Sequence, residues 1–411
     1  MALSTALIRG STQLALDCVS GVTSTAQNMH RTIARTSTSW LDGISGFGPL
    51  EQIRNPVTYS VIRAVSDALN TGVSRSFAYF DGQLDLSGLA SEESRWVSAL
   101  NGVCGDHLEA TDNVLALPMC LVTPSGTLDL WSGDLSNQLA GAGPNIVLMV
   151  HGLGLSEQNW WRLDHPDIGD CLEQELGFTP VYLRYNTGRH ISTNGQELAG
   201  LLDDLCEAWP VPVESLSLVG HSMGGLVIRS ACWYADKGQS AWIDSLRRVL
   251  FLGTPHHGSP LEKAGSFVEA ILKTNPYAEP LMLGRKRSAG VKDLRYGNLL
   301  DEDWQDQEGE GLSPDKRQII PLLPEVDYYF AAASLGSHEA DLKSRVLGDL
   351  LVRLGSALGS SSDELRSLNV KPENCRIFLE KDHFDLLDDE RVQRQAIEWF
   401  AESKTTPDGP A

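Results

Sequence analysis

Apolar positions along this chain follow two different rhythms. Up to about residue 110 they recur at helical spacing, as in "STALIRGSTQLALDCVSGV" and "SEESRWVSALNGVCGDHLEA". Between these, "NPVTYSVIRAVSDALNTGV" opens on Asn55 and Pro56, a favourable N-cap and first-turn pair. From Val114 the pattern changes to short apolar runs bounded by turn residues. "NVLALPMCLVT" and "GTLDLWS" read as strands around a turn at Pro124–Gly126. "NIVLMVHGLG" is apolar almost throughout, the pattern of a strand covered on both faces. "TPVYLRYN", "SLSLVG", "RRVLFLGTP", "VDYYFAAASL" and "CRIFLE" follow, most of them separated by helical stretches such as "NGQELAGLLDDLCEAW" and "DDERVQRQAIEWFAES". This alternation predicts an α/β fold: a mostly parallel central sheet with helices on both faces. Residues 258 to about 326 interrupt it and read as an insertion between two strands. The expected organisation is a helical amino-terminal extension over 1–110, an α/β domain over 111–402 and a disordered tail over 403–411.

Composition narrows the function. The 411 residues carry 33 Lys and Arg against 54 Asp and Glu, a net charge of −21. That balance argues against nucleic acid, whose phosphates need a basic face, and against simple electrostatic docking to anionic membranes. The seven cysteines are scattered and contain no C-x-x-C pair, which fits reduced thiols in a cytoplasmic protein better than a disulfide framework. The amino-terminal residues lack the features of a secretory leader, and no run of eighteen apolar residues predicts a transmembrane helix. The plainer expectation for the extension is packing against the α/β domain. The sharper one is a peripheral membrane contact through its helices or through the insertion, with Leu3, Leu7, Leu14 and Val22 as an apolar stripe.

The chemistry centres on "VGHSMGG", Val219–Gly225. A buried strand precedes Ser222 and a helix follows it, so Ser222 sits on a tight turn at the carboxyl edge of the sheet. Gly220 and Gly224 leave room where a β-carbon would collide with the adjoining elements. The start of the helix aims N–H groups and the positive end of its dipole at the space above the serine. A serine hydroxyl also needs a base. In a nucleophile-elbow hydrolase the chain order is serine, acid, histidine. His30, His107, His151, His165, His190 and His221 come too early, and His256 and His257 directly follow the next strand. His338 precedes the best acid. His383, in "KDHFDLLDD" between the last strand and the last helix, remains. The acid belongs after "VDYYFAAASL", where Asp341, Asp349 and Asp363 lie. Asp349 is preferred, because Gly348 lets the chain turn and the apolar "LLV" beside it can anchor the loop; Asp341 is the runner-up. In "VLMVHGLGLSEQNWW", Gly152 and Gly154 allow the Leu153 N–H to join that of Met223 as an oxyanion hole. His151, Gly152, His221 and His256 are expected to line the substrate site, His151 chiefly by bracing the loop.

Together "HGLG", "GHSMGG", "GTPHHGS", "GDLLV" and "HFDLLDD" resemble the α/β-hydrolase superfamily, in particular its bacterial lipase and carboxylesterase branch and the related inositol-deacylase-like enzymes. The resemblance covers about residues 115–402. It implies a Ser222–Asp349–His383 triad, the Leu153 and Met223 amides as oxyanion donors, and residues 258–326 as a cap over the substrate. "FVEAILK" with Leu281, Met282 and Leu283 would roof an acyl pocket. Some relatives carry a structural calcium near the histidine loop, and Asp385 resembles one ligand, but no second aspartate matches before Asp349. No cofactor is expected: the chain has neither a zinc motif, a phosphate-binding loop nor a dinucleotide fingerprint. The expected activity is a carboxylesterase or lipase acting on a small-molecule or lipid ester. The same triad would also serve an acyltransferase, thioesterase, amidase or lipid-anchor deacylase, and a non-catalytic binding protein is the reading from another class.

Overall fold

The computed structural model describes residues 10, 13, 91–132, 135–161, 165–259, 287–305, 317–337, 349 and 351–401. The rest of the amino-terminal extension, the "FVEAILK" and Leu281–Leu283 part of the cap, His338, Asp341 and the tail lie outside the described residues. Among the described residues, 10, 13 and Leu108–Ala116 belong to one compact unit and the others to a second. In the first, the Asn113 carboxamide donates to the Gly10 carbonyl (3.2 Å) and accepts from the Leu115 N–H (3.0 Å), while Gln13 donates to the Thr111 carbonyl (3.2 Å).

The second unit is built on an eight-stranded sheet. Its strands are β1 (Cys120–Thr123), β2 (Gly126–Thr127), β3 (Asn145–Val150), β4 (Thr179–Arg184), β5 (Ser215–His221), β6 (Leu246–Leu252), β7 (Asp327–Ser334) and β8 (Cys375–Leu379), in the order β2-β1-β4-β3-β5-β6-β7-β8. The pairs from β4 through β8 are parallel, and β1 pairs antiparallel with both β2 and β4. The continuous apolar runs at β3 and β5 therefore mark central strands. Side chains alternate between two cores, as the period of two requires. Ile146, Leu148 and Val150 join one, Val147 and Met149 the other. Each such buried side chain is worth roughly 1.5–3 kcal/mol relative to exposure.

The helices divide between those cores. With α1 as Ser91–Ala110, α2 is Ile168–Leu176, α3 is Ile191–Ala208, α4 is Met223–Gly238, α5 is Ala289–Tyr296 and α6 is Glu390–Ala401. On one face α3 contributes Leu198, Leu202 and Leu205, and α4 contributes Leu226, Val227 and Ala231. On the other, α2 contributes Ile168 and Leu172, and α6 contributes Val392, Ala396, Trp399 and Phe400. Among the described residues no helix is long and apolar enough to cross a membrane.

Local departures from the expected elements have physical causes. The strand expected from Asn113 begins only at Cys120, because Asn113 closes a turn on Leu115 and Pro118 has no N–H to offer a ladder. "GTLDLWS" yields only Gly126–Thr127: the Leu128 N–H still reaches the Leu121 carbonyl (2.8 Å), but the Asp129 carboxylate then takes the Trp131 N–H (3.2 Å) and turns the chain. In the insertion between β6 and β7, α5 packs on α3. The Asp293 carboxylate there accepts the first N–H of α3, that of Ile191 (3.0 Å), and meets His190 Nδ1 at 2.8 Å. A carboxylate from a distant segment thus caps a helix whose own N-cap residue, His190, makes no side-chain cap bond. Helix α1, read from sequence as the end of the extension, places its residues up to His107 in the same unit as the sheet.

Strand order reverses at β3: β4 lies on one side of it and β5 on the other. In an open parallel sheet the crevice at the carboxyl ends of two such strands is the ordinary place for a ligand. The loops after β3 and β5 carry Leu153 and Ser222.

Candidate active site

Ser222 joins β5 directly to α4 with φ 54° and ψ −123°. An L-residue in that region is held there by its surroundings at a cost of about 1–3 kcal/mol. The Ser222 N–H donates to the Leu252 carbonyl at the end of β6 (2.8 Å), and its own carbonyl accepts from the Gly225 N–H (3.1 Å). The glycines on either side are sterically required. A β-carbon at Gly220 would lie 2.7 Å from the Gly225 backbone, and one at Gly224 would lie 2.4 Å from the Val150 carbonyl oxygen. Strand, serine turn and helix are thus packed backbone to backbone, which fixes the serine side chain at the sheet edge.

Asp349 and His383 meet, both buried, with Asp349 Oδ2 2.6 Å from His383 Nδ1. The other carboxylate oxygen, Oδ1, accepts the N–H groups of Leu351 (2.9 Å) and Val352 (2.7 Å). With a carboxylate as its acceptor, Nδ1 carries the ring proton and Nε2 is left with the lone pair a base needs. The histidine loop is shaped by Asp382 and Asp385. Asp382 Oδ1 accepts from the N–H groups of Phe384 (2.8 Å) and Asp385 (3.0 Å), and the Asp382 N–H donates to Asp385 Oδ2 (2.8 Å). Asp385 is therefore a loop-shaping group here. Among the described residues there is no cluster of three or more His, Cys, Asp or Glu side chains arranged for a metal.

Two contacts bring the imidazole to the serine turn. His221, the residue before Ser222, donates from Nε2 to the His383 carbonyl (3.1 Å), and the two rings stand 4.8 Å apart. Gly253 follows Leu252, the acceptor of the Ser222 N–H; at φ 60° its missing β-carbon leaves the space in which the His383 ring sits, 3.0 Å away. His221 is fully buried, and burial together with the neighbouring His383 holds its pKa well below the ordinary histidine value. It stays neutral, so the bond to the His383 carbonyl uses one fixed tautomer. Of the other acids considered, Asp363 caps a turn at Leu365 and pairs with Arg366.

Leu153 lies on the turn after β3. The Leu155 N–H closes that turn on the Gly152 carbonyl (3.2 Å), and the Gly154 N–H is held by Thr187 Oγ1 (2.9 Å). A β-carbon at Gly152 would stand 3.0 Å from Ser222 Cβ, so this turn abuts the serine. Among the described residues the Leu153 N–H meets no acceptor, and Met223, as the first residue of α4, has no intrahelical one. His151 stacks on Tyr185 at 4.6 Å between ring centres, and the Tyr185 hydroxyl donates to the His151 carbonyl (2.7 Å). Burial lowers the His151 pKa to about 4, so it braces the turn as a neutral ring. His256 is buried between Phe251 and Phe330, with ring centres at 4.7 and 4.9 Å, and burial likewise keeps it neutral.

Sequence reasoning missed the support behind the Leu153 turn. A β-carbon at Gly102 in α1 would lie 2.7 Å from Gly154 Cα, and one at Gly105 would strike the Asn186 side chain, which donates to the Gly105 carbonyl (2.9 Å). The signal was present as two glycines three apart inside a helical pattern, which mark a close approach of another backbone.

Residues 143–296 match the PGAP1-like alpha/beta domain; the match takes in the Leu153 turn and Ser222 and ends before Asp349 and His383. No curated protein sequence matches the chain. Among solved structures, the mature form of a Bacillus licheniformis lipase is 21% identical over 59% of this chain and 86% of its own, with a TM-score of 0.35. The chain spans 50% of that lipase in its propeptide form. A Pyrococcus furiosus esterase is 15% identical over 63% of this chain and 81% of its own (TM-score 0.35), and a Pyrobaculum calidifontis esterase 12% identical over 78% and 94% (TM-score 0.38). With its mostly parallel sheet and its strand–serine–helix turn, the chain has the α/β-hydrolase fold, and residues 143–296 within it match the PGAP1-like alpha/beta domain.

Proposed function

We propose that the protein hydrolyses carboxylic esters through an acyl-enzyme on Ser222. The observation that carries this reading is the buried Asp349–His383 pair at 2.6 Å, held by His221 and Gly253 against the turn that presents the serine. In the first half-reaction the Ser222 hydroxyl oxygen attacks the ester carbonyl while His383 Nε2 takes its proton. The carbonyl oxygen gathers negative charge beneath the Leu153 and Met223 N–H groups. Collapse of the tetrahedral adduct breaks the bond to the alkoxy oxygen, and His383 returns the proton to the departing alcohol. Water then repeats the sequence on the acyl-enzyme, releasing the carboxylic acid. Asp349 keeps its bond to Nδ1 and stabilises the imidazolium. Each preorganised amide contributes about 3 kcal/mol to the barrier reduction.

Labelling with a fluorophosphonate probe tests the reading. The wild-type protein is expected to label stoichiometrically, Ser222→Ala not at all, and p-nitrophenyl ester turnover is expected to disappear with the label. Labelling that survives Ser222→Ala would remove this serine from the reaction. Competing alcohols in the turnover assay divide hydrolysis from acyl transfer by the products formed.

A further inference from the structure

A second group of polar side chains gathers beyond the end of β6, away from the triad. A cavity of about 340 Å³ opens between α4, the His256–His257 turn and the segments 317–322 and 365–369. That volume suits a small ligand or a headgroup. Ser222, Asp349 and His383 do not line it. Its wall carries Arg229, Arg317, Arg366, His256 and His257, with Asp303 as the carboxylate among the lining residues and Asp363 paired to Arg366 beside it. Asp303 is already committed: Oδ2 accepts the N–H groups of Leu299 (2.8 Å) and Leu300 (3.0 Å), and Oδ1 that of Gln318 (2.9 Å). In a chain of net charge −21, this is a local concentration of the opposite sign.

Arg229 is the informative residue. It is 7% exposed, donates from one terminal nitrogen to the Ile320 carbonyl (2.9 Å), and its Nε has no acceptor among the described residues. No carboxylate among the described residues forms an ion pair with it. Beside it His256, 2% exposed, has neither ring nitrogen partnered among those residues, and His257 Nε2 is in the same position. A buried guanidinium without a direct ion-pair partner and buried imidazole N–H groups without acceptors are each costly in a dry interior, so side chains of this kind are normally paired. One anion in the cavity would satisfy all of them.

We propose that this cavity binds a phosphate-bearing anion, with Arg229 as its principal charge partner and His256 and His257 as neutral donors. Donors on α4 and on the turn after β6 approach the cavity from different elements, which suits a tetrahedral anion with several acceptor oxygens better than a planar carboxylate. The assignment is independent of the ester chemistry, so it is tested in Ser222→Ala protein, where turnover cannot interfere.

The probe is inorganic phosphate, titrated against chloride at equal ionic strength and followed by the histidine side-chain 15N resonances and by the melting temperature. Phosphate is expected to shift the His256 and His257 ring signals saturably and to raise the melting temperature beyond the chloride control. His256→Phe keeps a ring between Phe251 and Phe330 and removes both nitrogens; it is expected to weaken phosphate binding roughly tenfold or more. Arg229→Gln is expected to abolish saturable binding, and should that variant fail to fold, His256→Phe carries the test. Equal effects of phosphate and chloride, or wild-type phosphate affinity in His256→Phe, would overturn the assignment. Displacement of phosphate by glycerol 3-phosphate alone points to a soluble ligand; displacement also by phosphatidic acid vesicles points to a lipid headgroup. Both support the site.

Discussion

Replacing Asp349 by asparagine changes one atom and should invert the chemistry of the histidine beside it. The asparagine carbonyl has two places to go. Facing the loop, it keeps the N–H groups of Leu351 and Val352, now 2.9 and 2.7 Å from Oδ1. Facing His383, it keeps the bond to Nδ1 but sets its NH₂ against those two amides. Two buried donors left unpaired cost about 2–6 kcal/mol together, whereas one neutral bond to the imidazole returns about 1 kcal/mol. The carbonyl therefore stays with the loop and the NH₂ faces Nδ1. His383 must then accept at Nδ1 and carry its proton on Nε2, which removes the lone pair from the side that serves Ser222. An inversion of this kind lowers kcat by roughly 10⁴-fold, or about 5 kcal/mol of barrier, with the fold intact. The assay is kcat/KM for a p-nitrophenyl ester, alongside the 15N shifts of the His383 ring, which report the tautomer directly. Activity within tenfold of wild type, or an Nε2–H tautomer without loss of rate, would refute the reasoning.

Two further outcomes concern stability. Ser222→Gly should exceed Ser222→Ala by about 1 kcal/mol in urea unfolding. Glycine relieves a strain of about 1–3 kcal/mol at φ 54° and gives back up to about 1 kcal/mol in unfolded-chain freedom; equal stabilities would mean the turn is unstrained. The protein should also be acid-labile in a defined window. His151 is depressed from 6.5 to about 4 by burial, so the stability of its neutral form is present above about pH 6.5 and is lost as pH falls through about 4, some 3 kcal/mol in all. His221 and His256 act in the same direction. Asp167, raised to about 6 by burial, opposes them: its contribution is present below about pH 3.8 and is lost as pH rises through about 6. Asp167→Asn keeps a helix-capping oxygen and removes that opposition. Its urea midpoint should fall more steeply than wild type between pH 7 and 4, and an unchanged slope would exclude Asp167 as a titrating group.

The parts of this molecule readable in sequence are those whose cause is local. Val219–Gly225 states part of its own geometry, since Gly220 answers a clash with the Gly225 backbone five residues on. The preference for Asp349 also rested on near neighbours, and the two amides that grip it belong to Leu351 and Val352, within the apolar stretch that singled it out. What sequence could not convey was anything requiring two distant segments to be known as neighbours. Asp293 looks like a surface helix acid until α5 is placed at the start of α3. Arg229, in an amphipathic helix, looks solvated until its burial is seen. The strand expected at Asn113 failed because periodicity alone outweighed Pro118 and a turn-forming asparagine.

The meeting of Gly102 with Gly154 bears on where this chain can be cut. A truncation at the apparent start of the α/β region, near residue 111, would take away the helix against which the Leu153 turn rests. A protein shortened in that way could keep Ser222, Asp349 and His383 and still lose rate, and the deficit would be mistaken for a contribution of the first ninety residues to substrate capture. Cutting just ahead of Ser91 separates the two effects.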